Sequence, residues 1–204
     1  LHVRSRRQRQ MCIRDRCGQE VKMGKAIGMV EYLTVSTGVQ AADMILKTAK
    51  VSIIEAKTVC PGKYIIIFSG ELSAVNASIE ASKNVHGEKL IDSFLLGNPH
   101  ESIFPAIYGA VEIKNKRALG VLETFSASSI IVAADEAAKT SDVELIEVRI
   151  ARGMSGKSYL MLTGDIGAVE AAIKKASAVV GKNGMLLDSS IMANPDEGLW
   201  NTIL

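Results

Sequence analysis

The stretch Ala26-Ile27-Gly28-Met29-Val30-Glu31 returns 92 residues later as Ala118-Leu119-Gly120-Val121-Leu122-Glu123. Further matches follow in the same order, at offsets of 92, 94 and 96: Ala41-Ala42-Asp43 with Ala133-Ala134-Asp135, Lys47-Thr48 with Lys139-Thr140, Gly62-Lys63 with Gly156-Lys157, and Asn98-Pro99 with Asn194-Pro195. The offset changes only at loops, where insertions are tolerated. The sequence therefore predicts two copies of one domain in tandem.

Each copy alternates strand-like and helix-like segments in the same order. A strand and a helix come first, two strands then flank a loop, and a second helix, a fourth strand and a short final helix follow. The predicted strands are 26–33, 51–59, 64–69 and 89–96 in the first copy, and 118–125, 143–151, 158–163 and 185–192 in the second. The second helices are predicted at 71–85 and 165–180. This β-α-β-β-α-β order predicts an α+β, ferredoxin-like fold.

The domain limits follow from the repeat and from one polar stretch. We predict a first domain over 23–107, a linker over 108–117 (YGAVEIKNKR) and a second domain over 118–204. Residues 1–22 hold seven Lys or Arg and two Asp or Glu, a net charge of +5, so the rest of the chain carries −3. This tail has two interpretations. It is a basic arm that binds an acidic partner, or it is a non-native, translated adapter sequence that precedes a natural start at Met23. A secretory signal is excluded because no apolar stretch follows its arginines.

The composition excludes several classes of protein. A mildly acidic domain region with 4% aromatic residues gives no electrostatic reason to bind nucleic acid. No apolar run approaches the roughly 20 residues that span a bilayer, so we expect no membrane partner. Three cysteines are too few for a disulfide framework, which favours a reducing cytosol.

One cysteine stands out by its position. Cys60 lies in Val59-Cys60-Pro61-Gly62-Lys63, between the two predicted strands of the first copy. Proline cannot donate to a sheet ladder and glycine tolerates tight turns, so Pro61-Gly62 predicts a chain reversal with Cys60 at its tip. A free cysteine is more commonly a small buried hydrophobe, and that alternative stays open here. The position of Cys60 at the tip of a Pro-Gly loop argues against burial.

Several of these motifs together resemble a known family. Ala-Ile-Gly-x-Val-Glu, then Ala-Ala-Asp-x-x-x-Lys, then Ser-Gly-Glu-x-x-Ala-Val, resembles the shell-protein domain of bacterial microcompartments over 23–204. Two such domains resemble the tandem-domain shell proteins (BMC-T), whose three chains form a pseudo-hexameric tile. Lys57-Thr58-Val59-Cys60-Pro61-Gly62-Lys63 is similar to the propanediol-utilisation type, which carries an iron–sulfur cluster in its central pore.

The resemblance implies a site made by symmetry. A homotrimer would bring three Cys60 thiolates together at one axis and could hold a shared [4Fe–4S] cluster, a group usually bound by four cysteines. The pore would be lined by Cys60, Pro61 and Gly62, and by the second copy's loop, Gly153, Met154, Ser155 and Gly156. That loop is no phosphate site, since a strand follows it. The alternative that this second loop is only a flexible hairpin loop, without a role in the pore, stays open.

The resemblance also assigns an edge and partners. Lys47 and Lys139 resemble the family's edge lysines, which would contact neighbouring shell proteins, although each could be an ordinary lysine in a last helical turn. The family often has an arginine before Pro-His, and this chain departs from that pattern with Asn98-Pro99-His100 and Asn194-Pro195-Asp196. His100 is expected to be a helix-start or surface residue. An enclosed redox enzyme is a further candidate partner.

No constellation in the sequence points to catalysis. Glu31 and Glu123 recur, yet no nucleophile or histidine completes an acid–base pair, so structural ion pairs are expected and no enzyme is predicted. The predicted function is a shell tile that passes electrons across the shell. Two alternatives remain: a tile whose pore conducts a small metabolite, with Cys60 as a gate or reactive thiol, and an unrelated ferredoxin-like binding or regulatory protein.

Overall fold

The structure, a computed structural model, describes residues 25–113, 116–151 and 153–203. These residues form two compact units, one ending at Pro99 and one beginning at His100. The predicted tail over 1–22 lies outside the described residues. None of the helices in the described ranges is long and apolar enough to cross a membrane.

The two units contain the same elements. The first unit consists of β1 (Ala26–Tyr32), α1 (Val35–Thr48), β2 (Val51–Val59), β3 (Lys63–Gly70), α2 (Leu72–His86), a short 3-10 turn (Gly87–Lys89) and β4 (Leu90–Gly97). The second unit begins with α3 (Ile103–Tyr108) and continues with β5 (Ala118–Thr124), α4 (Ala127–Thr140), β6 (Val143–Arg149), β7 (Ser158–Gly164), α5 (Ile166–Gly181), β8 (Leu186–Met192) and α6 (Glu197–Ile203).

Each unit has one four-stranded antiparallel sheet. The strand order is β2-β3-β1-β4 in the first sheet and β6-β7-β5-β8 in the second. This topology confirms the predicted β-α-β-β-α-β fold and its tandem repetition. The largest difference from the predicted strand bounds is in β6, which ends at Arg149 and not at 151, because Ala151 adopts a left-handed φ of 46° that does not fit a strand.

The core of the first unit follows from the alternation of side chains along β1. Ala26, Val30 and Tyr32 point to one face of the sheet and pack with residues of α1, β3 and α2. Gly28 lies on the same face, and a Cβ there would come within 2.6 Å of Val75 on α2. The glycine of the repeated motif therefore lets α2 approach the sheet. Gly120 plays the same part in the second unit, where a Cβ would meet three side chains at 2.9 Å.

Each short helix was expected to complete the domain that precedes it in the chain, and only one of the two does so. The segment His100–Tyr108 belongs by sequence to the first repeat, but α3 packs on β6 and α4 of the second unit. Tyr108, predicted as the first linker residue, is the last residue of α3, and Gly109 ends this helix with a φ of 62°. By contrast, α6 places Trp200 on the sheet of its own unit, against Leu119 and Ile146.

Candidate functional site

Cys60 lies at the tip of the hairpin that joins β2 to β3. The strands pair up to Val59 and Lys63, and the Gly62 amide donates to the Val59 carbonyl at 2.9 Å across the turn. The Cys60–Pro61 peptide is cis, and Gly62 has a φ of 94°, a value that favours glycine. The reversal expected at Pro61-Gly62 is confirmed, and Cys60, Pro61 and Gly62 are all exposed.

The Cys60 thiol is free and exposed, so it is not the buried hydrophobe of the alternative interpretation. A thiol in this position can reach a ligand or another chain. Among the residues that the structure describes, no three His, Cys, Asp or Glu side chains come together as a metal site. One chain therefore offers a single sulfur at this tip, and its role as a ligand stays a prediction.

Ion pairs fix the base of the Cys60 hairpin. The Lys63 ammonium lies 3.2 Å from the carboxylate of Glu31, which is almost fully buried on β1. On the neighbouring strand, Lys57 pairs with Glu55 at 2.6 Å. The structural ion pair expected for Glu31 is confirmed. The Lys63–Glu31 pair joins β3 to β1, whereas the Lys57–Glu55 pair lies within β2, and the tip of the hairpin stays exposed.

The second unit carries a longer loop at the equivalent place. It joins β6 to β7, and Ala151, Gly153, Ser155 and Gly156 all have positive φ values. The Lys157 amide donates to the Met154 carbonyl at 3.0 Å, and the Ala151 amide donates to the Ser158 hydroxyl at 3.0 Å. Gly153 and Ser155 are exposed, Met154 is half-buried and Gly156 is buried. These hydrogen bonds define the loop's shape, whereas the pore role of Gly153, Met154, Ser155 and Gly156 stays a prediction.

A polar cluster below this loop was missed by the sequence analysis. Arg149 donates to Glu147 at 2.7 and 3.1 Å, and the Tyr159 hydroxyl donates to the same carboxylate at 2.8 Å. The guanidinium carbon of Arg149 lies 5.5 Å from the centre of the Tyr159 ring. The signal was present, because Glu147 and Arg149 repeat Glu55 and Lys57 at the offset of 92.

Ionisation in this cluster is shifted by its contacts. Burial, followed by the hydrogen bond to Glu147, raises the pKa of Tyr159 to about 12. The same carboxylate raises the pKa of Arg149 through their hydrogen bond. Tyr159 is therefore neutral over the whole physiological range, and it lies beside the Arg149–Glu147 ion pair. The cluster has no spare base or nucleophile and can brace the hairpin.

Comparison with known proteins identifies the repeat. The BMC domain model matches the chain twice, over residues 26–99 and 118–195. The chain belongs to the BMC domain family. Relatives of this BMC-domain protein include the bacterial microcompartment shell protein PduT of Citrobacter freundii, which is 37% identical over 182 residues, 89% of this chain and 99% of that protein.

Solved structures agree with this assignment. A crystal structure of a microcompartment protein from Desulfitobacterium hafniense has a TM-score of 0.82 and 42% identity, and the match covers 86% of this chain and 98% of that one. The fused permuted hexameric shell protein MSM0275 shares the fold, with a TM-score of 0.55 and 21% identity over 76% of this chain and 81% of its own. The BMC-domain protein is thus a shell protein of bacterial microcompartments, and its relatives are shell proteins and not enzymes.

The two edge lysines occupy equivalent places in the BMC-domain protein. Lys47 lies in the last turn of α1 and pairs with Asp43 at 2.6 Å, and Lys139 lies in the last turn of α4 and pairs with Asp135 at 2.6 Å. The Lys47 side chain is more exposed than that of Lys139, 74% compared with 39%. Contact with neighbouring shell proteins remains a prediction for both.

His100 confirms its expected place at a helix start. Its Nδ1 accepts from the Ser102 amide at 3.3 Å, one residue before α3 begins, and its own amide donates to Asp135 at 2.8 Å. His100 therefore contacts the residue that precedes α3 and also joins this segment to α4. Within the described ranges, His100 belongs to no group of three or more His, Cys, Asp or Glu side chains that could hold a metal ion.

Proposed function

We propose that three copies of this chain form a pseudo-hexameric tile of a microcompartment shell, with a [4Fe–4S] cluster held at the shared axis by three Cys60 sulfurs. The tile would pass electrons across the shell. The observation that carries this proposal is the position of Cys60, a free and exposed thiol at the tip of a rigidly based hairpin. When bound, the cluster supplies one-electron transfer, which no side chain of the chain provides.

The donor set at the hairpin fits such a group. Thiolate is the ligand that iron–sulfur clusters require, and one chain alone has too few of them. Around a threefold axis, three chains would each contribute one cysteine, so three thiolates would be available although each chain has only one at this hairpin. Gly62 helps because no atom lies within 4 Å of where its side chain would begin, so the turn is open on that side. Pro61 and Gly62 would then line the pore next to the sulfur.

The other residues of the proposed tile have supporting roles. The loop of the second unit would alternate with the Cys60 hairpin around the pore and present Gly153, Met154, Ser155 and Gly156. Lys47 and Lys139 would lie at the tile edge and contact neighbouring shell proteins. A redox enzyme inside the compartment would exchange electrons with the cluster.

Anaerobic purification tests the cluster directly. We expect a brown protein with broad visible absorbance, about four irons and four sulfides for every three chains, and loss of the colour in Cys60→Ser. The matched control is the double variant Cys12→Ser/Cys17→Ser, which should keep the colour because these cysteines lie in the basic tail. An assembled but colourless wild-type protein, still free of iron after reconstitution, would contradict the cluster.

That negative result would favour the other kind of tile. A bare pore would conduct a small metabolite, and Cys60 would then act as a gate or as a reactive thiol. In that case Cys60→Ser would change permeation and thiol modification but no redox signal.

A further inference from the structure

The turn that joins α5 to β8 contains an asparagine followed by a glycine. Asn183 and Gly184 are both exposed, and the sequence contains no second Asn-Gly pair. Asparagine is a thermolabile residue, and its side-chain amide carbon can be attacked by the main-chain nitrogen of the next residue. A glycine at that next position hinders the approach least, because it has no Cβ. The turn therefore has the composition of a site of spontaneous chemical modification.

The conformation of the turn explains why a glycine follows the asparagine. α5 ends at Gly181, and Gly184 has a φ of 67°, a value that favours glycine. The Met185 amide donates to the Val180 carbonyl at 3.0 Å, and the Gly184 amide donates to the Gly181 carbonyl at 3.0 Å. These two hydrogen bonds form the Schellman arrangement of a helix end. The fold thus requires the glycine that also makes Asn183 reactive.

The surroundings of the turn leave room for the reaction. Apart from its two chain neighbours, no residue has an atom within 4 Å of where a side chain of Gly184 would begin. The hydrogen bond from the Gly184 amide to Gly181 must open before this nitrogen can react. Hydrogen bonds at an exposed helix end open at little cost in free energy. We therefore expect the folded protein to react more slowly than a flexible peptide, but to react.

We propose that Asn183 is a site of deamidation. The Gly184 nitrogen loses its proton to a solvent base and bonds to Cγ of Asn183, the bond between Cγ and Nδ2 breaks, and the side-chain nitrogen leaves as ammonia. Water then opens the succinimide ring that has formed. Attack of water at Cγ gives aspartate, whereas attack at the main-chain carbonyl carbon gives isoaspartate. The reaction needs no cofactor and depends neither on the proposed cluster nor on the proposed tile.

Other asparagines of the chain are internal controls. Asn98 and Asn194 precede prolines, whose nitrogen carries no hydrogen and cannot attack in this way. Asn84 is exposed near the end of α2, but it precedes Val85, whose branched Cβ hinders the approach. We expect these three asparagines to stay intact while Asn183 reacts.

The two products would affect the helix end differently. Isoaspartate adds one carbon to the main chain before Gly184, so the hydrogen bonds of Gly184 and Met185 to α5 cannot both be kept. The Met185 carbonyl also accepts from the Phe125 amide at 3.0 Å, so the link between this turn and the start of α4 would loosen as well. Aspartate keeps the main chain and adds only a negative charge near the C-terminal end of a helix, where the dipole disfavours it. We expect the isoaspartate form to unfold at the lower temperature.

Mass spectrometry of the aged full-length protein tests the proposal. During incubation at neutral and at mildly alkaline pH, the peptide that contains residue 183 should become heavier by the difference between water and ammonia. The rate should rise with the hydroxide concentration. Asn183→Gln is the matched control, because its longer side chain would have to close a larger ring, and this variant should keep its mass. Methyl transfer by an isoaspartyl methyltransferase, used as a reagent, distinguishes isoaspartate from aspartate.

The controls decide what each other result means. A free peptide of residues 178–188 is incubated in parallel, and intact Asn183 in the protein after this peptide has been converted would overturn the proposal. Equally fast modification of Asn84 would overturn it too, since the glycine would then not be the cause. Freshly prepared Asn183→Asp carries the charge without the longer main chain. If the isoaspartate form unfolds at the same temperature as this variant, the predicted loosening of the helix end is wrong.

Discussion

Asp135 illustrates, at the scale of one residue, how surroundings determine the effect of a carboxylate. It is buried, and it accepts hydrogen bonds from the His100 amide at 2.8 Å and from Lys139 at 2.6 Å. Asp135→Ala would remove the acceptor of the His100 amide and the carboxylate that pairs with Lys139. We expect a loss of about 1–3 kcal/mol in the free energy of unfolding, measured by urea denaturation.

Asp43→Ala is the matched control, because Asp43 holds the same place in the first repeat. In a single chain it makes only an exposed pair with Lys47, which contributes at most about 0.5 kcal/mol. Both substitutions should be measured at the same protein concentration and under the same conditions. Equal losses at the two positions would contradict the role assigned to the His100 contact.

Tyr159 predicts a change of stability at alkaline pH. Burial and the bond to Glu147 raise its pKa from 10.0 to about 12, so the folded state keeps this proton where the unfolded state has lost it. The contribution is complete below pH 10 and is lost as the pH rises toward 12. We expect Tyr159→Phe to lose less stability than the wild type between these values.

The measurement is a series of urea titrations from pH 8 to pH 12. Tyr32 also has a raised pKa because of burial, so both proteins should still decline. Only the difference between wild type and Tyr159→Phe reports on Tyr159. Parallel curves for the two proteins would contradict the predicted shift.

At the scale of elements, the glycine of the repeated motif sets the distance between sheet and helix. A Cβ at Gly28 would lie 2.6 Å from Val75, and one at Gly120 would lie 2.9 Å from Ile173. Gly28→Ala and Gly120→Ala therefore force α2 or α5 away from its sheet. We expect each to lower the free energy of unfolding by about 1–3 kcal/mol.

Gly167 provides the control for both substitutions. It lies in α5 with no atom within 4 Å of its missing side chain. Gly167→Ala should stabilise the protein by about 0.4–1 kcal/mol, because it restricts only the unfolded chain. Thermal unfolding of the three variants checks the signs, and a neutral Gly28→Ala would show that α2 can shift freely.

Most elements could be predicted from the sequence because their apolar periods and their repetition agree. The strand end at Arg149 could not, since alanine rarely adopts the left-handed φ found at Ala151. The sequence also could not predict which elements α3 packs against. An apolar stripe such as Ile103 and Ala106 shows that a helix face is buried but not which neighbour buries it.

The candidate site was predictable in part for a similar reason. Pro61-Gly62 fixed the place of Cys60 through local turn chemistry. The proposed convergence of several Cys60 sulfurs requires several copies of the chain. The pattern of residues within one sequence does not indicate such an assembly, so this part of the prediction came only from the resemblance to a family.

At the scale of the whole molecule, Trp200 shows whether the last helix, α6, is packed on the sheet of the second unit. It is the single tryptophan of the protein and is buried against Leu119 and Ile146. We expect Trp200→Ala to cost about 3–5 kcal/mol through the cavity it leaves, and to release α6 from the sheet. The matched variant is Trp200→Phe, which copies Phe104 at the equivalent position and should cost clearly less.

Urea unfolding followed by far-ultraviolet circular dichroism measures both variants. The wild-type tryptophan emission should lie at short wavelength and shift to the red as the second unit unfolds. A Trp200→Ala protein as stable as wild type would show that α6 contributes nothing to this unit.

The unequal hairpins have one consequence for how such a protein can evolve. In an assembly of single-domain chains, a new side chain at the hairpin tip is copied to every position around the ring. In the proposed tile of three tandem chains the symmetry order would be half as high, so the Cys60 tip and the Met154 loop could change separately. A thiol can thus be introduced at alternate positions only, while the intervening loops are free to change in length.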